Sequence, residues 1–79
     1  MKVRDLMKVY WHGRSDAQVR ISVYEESSGQ RVAYSLDKHQ AAHIAEPDGP
    51  FPGVAAAKVE TFEVFDEGGP VLRINASVK

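Results

Sequence analysis

Residues 18–24, QVRISVY, and 31–36, RVAYSL, alternate apolar and polar side chains on either side of the loop EESSGQ. A repeat of two is that of a half-buried strand. Val19, Ile21 and Val23 fall on one face, and Arg20, Ser22 and Tyr24 on the other. In the second run Val32, Tyr34 and Leu36 take the inward places. The connecting EESSGQ carries its glycine near the end, as hairpin loops do. Residues 3–11, VRDLMKVYW, read as a strand before these two, with Val3, Met7, Val9 and Trp11 on one parity and Asp5 as the exception. HGRSD (12–16) is a turn by composition. The first three strands then form an antiparallel meander.

A helix follows. In SLDKHQAAHIAEP, Asp37 is a good N-cap and Gln40 stands three residues later, the spacing of a capping box. Ala41, Ile44 and Ala45 form a narrow apolar face, and Pro47 ends the helix near Glu46 after roughly three turns. Next comes EPDGPFPG (46–53), which sets one aromatic, Phe51, among prolines, glycines and acids. Either Phe51 folds back to plug the core or it is held out for a partner; the flanking prolines help both roles. Residues 54–65 fit two patterns. On a helical wheel Phe51, Val54, Ala55, Val59, Phe62 and Phe65 share a side. Yet VETFEVF is rich in β-branched and aromatic residues, and DEGG precedes the alternating PVLRINASV. A hairpin, KVETFEVF–DEGG–PVLRINASV with a bulge near Thr61, explains both halves and is the favoured reading. The expectation is a single α+β domain spanning residues 1–79, order β-β-β-α-β-β, with one short helix on an antiparallel sheet of about five strands.

A chain of 79 residues has a thin core and little room for a pocket of ~300 Å³ or more. It has no cysteine, which excludes disulfides, thiolate metal sites and cysteine catalysis. No apolar run is long enough for a secretory leader or a membrane span, so the expectation is a cytoplasmic protein with no membrane partner. The net charge of −1 argues against strong non-specific binding to nucleic acid. The charge is uneven: residues 1–20 balance to +3 and residues 21–79 to −4.

Candidate chemistry is sparse. His39 and His43 stand four apart on the helix with Glu46 three further on, a spacing that can chelate zinc or nickel. A metalloprotease helix needs Glu directly after the first His, and Gln40 stands there instead. A solvated polar face, or one that meets a partner, is the simpler account; no metal ligand set and no cofactor is expected. His12 in its turn lacks an orienting group, and no serine lies in a G-x-S-x-G elbow. Glu25, Glu26, Asp66 and Glu67 sit in hairpin loops, where exposed carboxylates are poor general acids. The glycines lack the spacing and lysine of a phosphate loop. Lys8, Tyr10, Arg20, Tyr24 and Arg31 could share an outer sheet face, which gives a single-stranded nucleic-acid platform as one alternative.

Surface is what remains. Aromatics and arginines dominate interface hot spots, and Tyr10, Trp11, Tyr24 and Phe51 stand at turns, strand ends or outer faces. The reading adopted is a non-catalytic module that docks to a protein complex. Its contact residues would be Arg20, Tyr24 and Arg31 on the sheet, His39, His43 and Glu46 on the helix, and Phe51 in the loop. A metal-dependent site on His39 and His43 is the remaining alternative. Free sheet edges also allow a symmetric homodimer. In size and style the chain resembles the small inhibitors of bacteriophages and mobile elements, including anti-CRISPR proteins. That resemblance implies steric blocking of a host defence complex, itself a nucleoprotein; it rests on no motif and assigns no residue.

Overall fold

The computed structural model of the chain describes residues 1–10 and 18–79, with Tyr10 described by its backbone only. Its elements are α1 (Val3–Tyr10), β1 (Gln18–Glu25), β2 (Gln30–Leu36), α2 (Lys38–His43), α3 (Pro52–Ala55), β3 (Lys58–Asp66) and β4 (Pro70–Val78). The sheet has four strands in the order β2-β1-β4-β3. β1 and β2 form an antiparallel hairpin, as do β3 and β4. The hairpins join through β1 and β4, which run parallel. The α+β class therefore holds, with corrections: among the described residues there are four strands rather than five, three short helices rather than one, and a mixed sheet rather than an antiparallel one.

The largest correction concerns residues 3–10. They form a helix because Val3, Leu6 and Met7 recur at spacings of three and four and are all buried. Val9, grouped with Val3 and Met7 on one face of the expected strand, is 77% exposed. Asp5, the misfit in the strand pattern, lies outside the buried stripe and accepts the Lys2 amide N–H at 3.1 Å in the first turn, where a carboxylate suits the helix dipole. The start of the chain is tied to β3: the Val3 N–H donates to the Ala57 carbonyl (2.9 Å) and the Val59 N–H to the Met1 carbonyl (2.8 Å).

One apolar cluster lies between the helices and one face of the sheet. Val19, Ile21 and Val23 from β1, and Leu72, Ile74 and Ala76 from β4, point into it. Met7 of α1, Ala41 of α2, and Val54 and Ala55 of α3 close it from the other side. Removing an Ile or Leu side chain from water contributes about 1.5–3 kcal/mol, so the central pair of strands carries most of the stability. Cover thins toward both edges. On β2, Leu36 is buried, while Val32, expected inward, is 37% exposed. On β3, Phe62 and Val64 pair with Ile74 and Leu72 and so share the core-side parity, yet they are 52% and 49% exposed.

The capping box on α2 forms as expected: Asp37 Oδ1 accepts the Gln40 N–H at 2.7 Å and Gln40 Oε1 accepts the Asp37 N–H at 3.1 Å. The helix is shorter than the expected three turns, closing at His43. The Glu46 N–H donates to the His43 carbonyl, and the Gly49 N–H to the Glu46 carbonyl, each at 3.0 Å. The chain folds back so closely that a Cβ on Gly49 would stand 2.0 Å from the His43 carbonyl oxygen. The favoured hairpin at 58–78 is present, and its register shifts between Val59 and Thr61, where the bulge was expected. Residues 54–65 thus divide, with a single helical turn in α3 before β3 begins. No helix among the described residues is long and apolar enough to cross a membrane.

Candidate docking surface on the open sheet face

All three helices contribute to the cluster on one side of the sheet, so the opposite face carries the alternate residues of each strand. Register aligns them in rows. One row reads Ser35, Arg20, Arg73, Glu63 across β2, β1, β4 and β3. The next is Ala33, Ser22, Asn75, Thr61, and the third Arg31, Tyr24, Ser77, Lys58. A fourth, at the other end, places Gln18, Val71 and Phe65 side by side.

The long side chains of this face are held by neighbours. The Arg31 guanidinium lies 5.6 Å from the centre of the Tyr24 ring and donates to Ser22 Oγ at 3.0 Å. That arrangement combines a cation–π contact with a hydrogen bond. Arg20 pairs with Glu67 at 3.3 Å and donates to Gln18 Oε1 at 3.4 Å. Arg73 pairs with Glu63 and lies 5.8 Å from the centre of the Phe65 ring. Asn75 donates to Thr61 Oγ1 at 3.0 Å, and the Ser77 hydroxyl donates to Glu60 at 2.6 Å. The small residues Ser22, Ala33 and Ser35, on β1 and β2, floor a shallow hollow of about 200 Å³ that Arg20 and Arg73 border.

The residues expected to form one binding surface divide among separate places. Arg20, Tyr24 and Arg31 do share the open face. Lys8 does not: it lies on α1, in the helical layer. His39, His43 and Glu46 belong to α2 and the turn after it, also in the helical layer. There the His39 and His43 rings stand 4.6 Å apart, and His43 Nδ1 lies 3.0 Å from Glu46 Oε2. The Glu46 carboxylate is thus engaged with one imidazole, and among the described residues no group of three or more His, Cys, Asp or Glu side chains is set to hold a metal. Trp11 and His12 lie outside the described residues.

Phe51 folds back. It is half-buried against the core cluster, with its ring centre 5.5 Å from that of Tyr34. Its backbone is left-handed, φ 52° and ψ 58°, and it precedes Pro52 at the start of α3. A bulky residue rarely adopts this conformation. Tyr34 and Phe51, with Val23, Glu25, Val54 and Val78, border a second hollow of about 200 Å³ on the helical side.

Arg73 escaped the sequence reading, as did its partner Glu63, while Glu67 was read only as an exposed hairpin carboxylate. Its signal was present in PVLRINASV, where it alternates with Leu72 and Ile74. What the alternation could not supply was the identity of the strand beside it.

The fold and this face define a class: a small α+β domain whose described helices cover one side of a four-stranded sheet, while the other side presents polar and aromatic residues, with Val71 buried at one end of it. Compared with known proteins, the chain matches no family model, and it has no significant match among curated proteins or solved structures.

Proposed function

We propose that the protein is a non-catalytic binding module that docks onto another protein through the open face of its sheet. The observation that carries this reading is Arg31 set against the Tyr24 ring, two rows along the sheet from Arg20 and Arg73, on a face that none of the described helices covers. Tyrosine and arginine are the side chains that most often anchor interfaces. Here their partners hold them in place, which lowers the entropy lost on binding. Small residues between them let a partner approach the backbone.

In its narrower form the reading is an inhibitor that occludes a host defence complex, and the resemblance in size and style is its support. The test is a tagged pull-down from bacterial lysate, with and without nuclease, using the wild type and Tyr24→Ala. A defined protein complex that survives nuclease and is lost with Tyr24→Ala, at an unchanged melting temperature, is the expected result. Capture that depends on intact nucleic acid would favour the single-strand platform. Equal capture by both forms would remove the sheet face from the function.

A further inference from the structure

We infer that the hollow over β1 and β2 that Arg20 and Arg73 border receives a carboxylate of an acidic, extended segment of the partner protein. The inference rests on the docking reading above and adds the chemistry of what is docked.

Arg20 and Arg73 are direct register partners on neighbouring strands and point to the same face. Like charges set directly opposite each other destabilise a sheet, so this pairing has no account in the stability of the fold. Each guanidinium is steadied by a carboxylate, Glu67 for Arg20 and Glu63 for Arg73, yet each side chain is about half exposed, at 43% and 53%. Exposed ion pairs of this kind contribute little, and a guanidinium fork has donors enough to hold a second acceptor. The acids lie outside the hollow; its lining is Arg20, Arg73, Ser22, Ser35 and Ala33, with Ile21 and Tyr34. Arg20, Arg73, Ser22 and Ser35 all carry hydrogen-bond donors. Ser22 accepts from Arg31, which leaves its own hydroxyl hydrogen free, and the Ser35 hydroxyl has no partner among the described residues. A hollow of about 200 Å³ with donors on several sides fits a carboxylate end.

Phosphate is the other anion such a site could take, but the surroundings favour protein. Single strands bind by stacking bases on aromatic faces. Here Arg31 and Arg73 already lie over Tyr24 and Phe65. Glu60, Glu63 and Glu67 stand around the face and would repel a phosphate backbone more than a single carboxylate. The geometry also sets a spacing. Arg31 and Ser35 are four residues apart on β2, about 13 Å at the rise of an extended chain. An extended segment lying along the strands with acids at positions i and i+4 would therefore reach the hollow and Arg31 together.

The test is fluorescence polarisation with a labelled nine-residue peptide, Glu at positions 3 and 7 in a Thr/Ser background, its Gln counterpart, and a twelve-residue oligo(dT). The Glu peptide should bind, at least tenfold more tightly than the Gln peptide. R20Q/R73Q should lose at least tenfold, while Lys8→Gln on the helical layer should lose nothing. Should R20Q/R73Q melt early, the Glu-against-Gln comparison on the wild type decides. Equal binding of the two peptides, no binding of the Glu peptide, or tighter binding of oligo(dT) overturns the inference. Loss of the pulled-down partner with Tyr24→Ala but not with R20Q/R73Q would leave docking standing and remove the carboxylate receptor.

Discussion

Phe51 offers the sharpest test of the fold, because two opposing effects meet at one residue. Its ring is half-buried against Tyr34 and the core, and its backbone is left-handed. Truncating a fully buried Phe to Ala removes about 3–5 kcal/mol; a half-buried ring should lose roughly half of that, about 2 kcal/mol. The left-handed conformation costs a residue with a Cβ about 1–2 kcal/mol, and Ala retains that cost. Gly does not, although its freer unfolded chain takes back about 0.4–1 kcal/mol. Phe51→Gly should therefore be more stable than Phe51→Ala by about 0.5–1 kcal/mol, the reverse of the order on a regular helix. At about 4–8 °C per kcal/mol for a small domain, Phe51→Ala should melt about 8–16 °C below the wild type, with Phe51→Gly a few degrees above it. Urea and thermal unfolding followed by far-ultraviolet circular dichroism measure all three. If Phe51→Ala is as stable as the wild type, the ring is not part of the core, and a role in contacting a partner returns. If Gly is worse than Ala, the left-handed backbone is wrong.

Four further substitutions probe other parts of the structure. Asp37→Ala removes the α2 N-cap and should cost about 1 kcal/mol by urea unfolding; no change would mean that the capping box does not form. Ile74→Ala, at a fully buried site on β4, should cost about 2–5 kcal/mol. That is a large share of the roughly 4–12 kcal/mol expected for a chain of this length, so the urea midpoint should fall clearly below that of the wild type, and a loss under about 1 kcal/mol would refute the placement. Gly49→Ala places a Cβ against the His43 carbonyl and should lower the melting temperature by several degrees or more. Phe62→Thr on the exposed flank of β3 should cost no more than about 1 kcal/mol; a loss of about 3 kcal/mol or more would show that the flank is covered.

Local patterns were legible where one local rule acted alone. The β1–β2 hairpin followed from clean alternation, and the Asp37–Gln40 box from side chains three residues apart. The β3–β4 hairpin and its bulge followed from imperfect alternation around Thr61. Reading failed where two repeats competed over a short window. VRDLMKVY satisfies a strand at Val3, Met7 and Val9 and a helix at Val3, Leu6 and Met7. High β-propensity at Val and Tyr tipped the reading toward a strand. Packing decides for the helix, because Val3, Leu6 and Met7 meet the sheet together while Asp5 and Val9 face water. Asp5 was the local clue: a charge on the inner parity of a supposed strand is an error in the pattern, and the helical repeat removes it.

The candidate site was legible only in halves, for a topological reason. Periodicity assigns each side chain to a face, and it placed Arg20, Tyr24 and Arg31 together because they belong to one hairpin. It does not say which hairpin edge meets which. Once residues 3–10 leave the sheet, β1 needs another neighbour, and β4 provides it across more than forty residues of chain. That parallel contact sets Arg73 beside Arg20 and brings Glu63 and Glu67 to flank the pair. The same contact buries Ile21 against Ile74 on the other face. The apolar demand of the inner face thus fixes the strand order, and the outer face receives its cation pair as a consequence of that order. A substitution that weakened the inner contact would separate the arginines without touching either. The Arg20–Arg73 pairing therefore depends on core residues such as Ile21, Leu72 and Ile74 as much as on the arginines themselves.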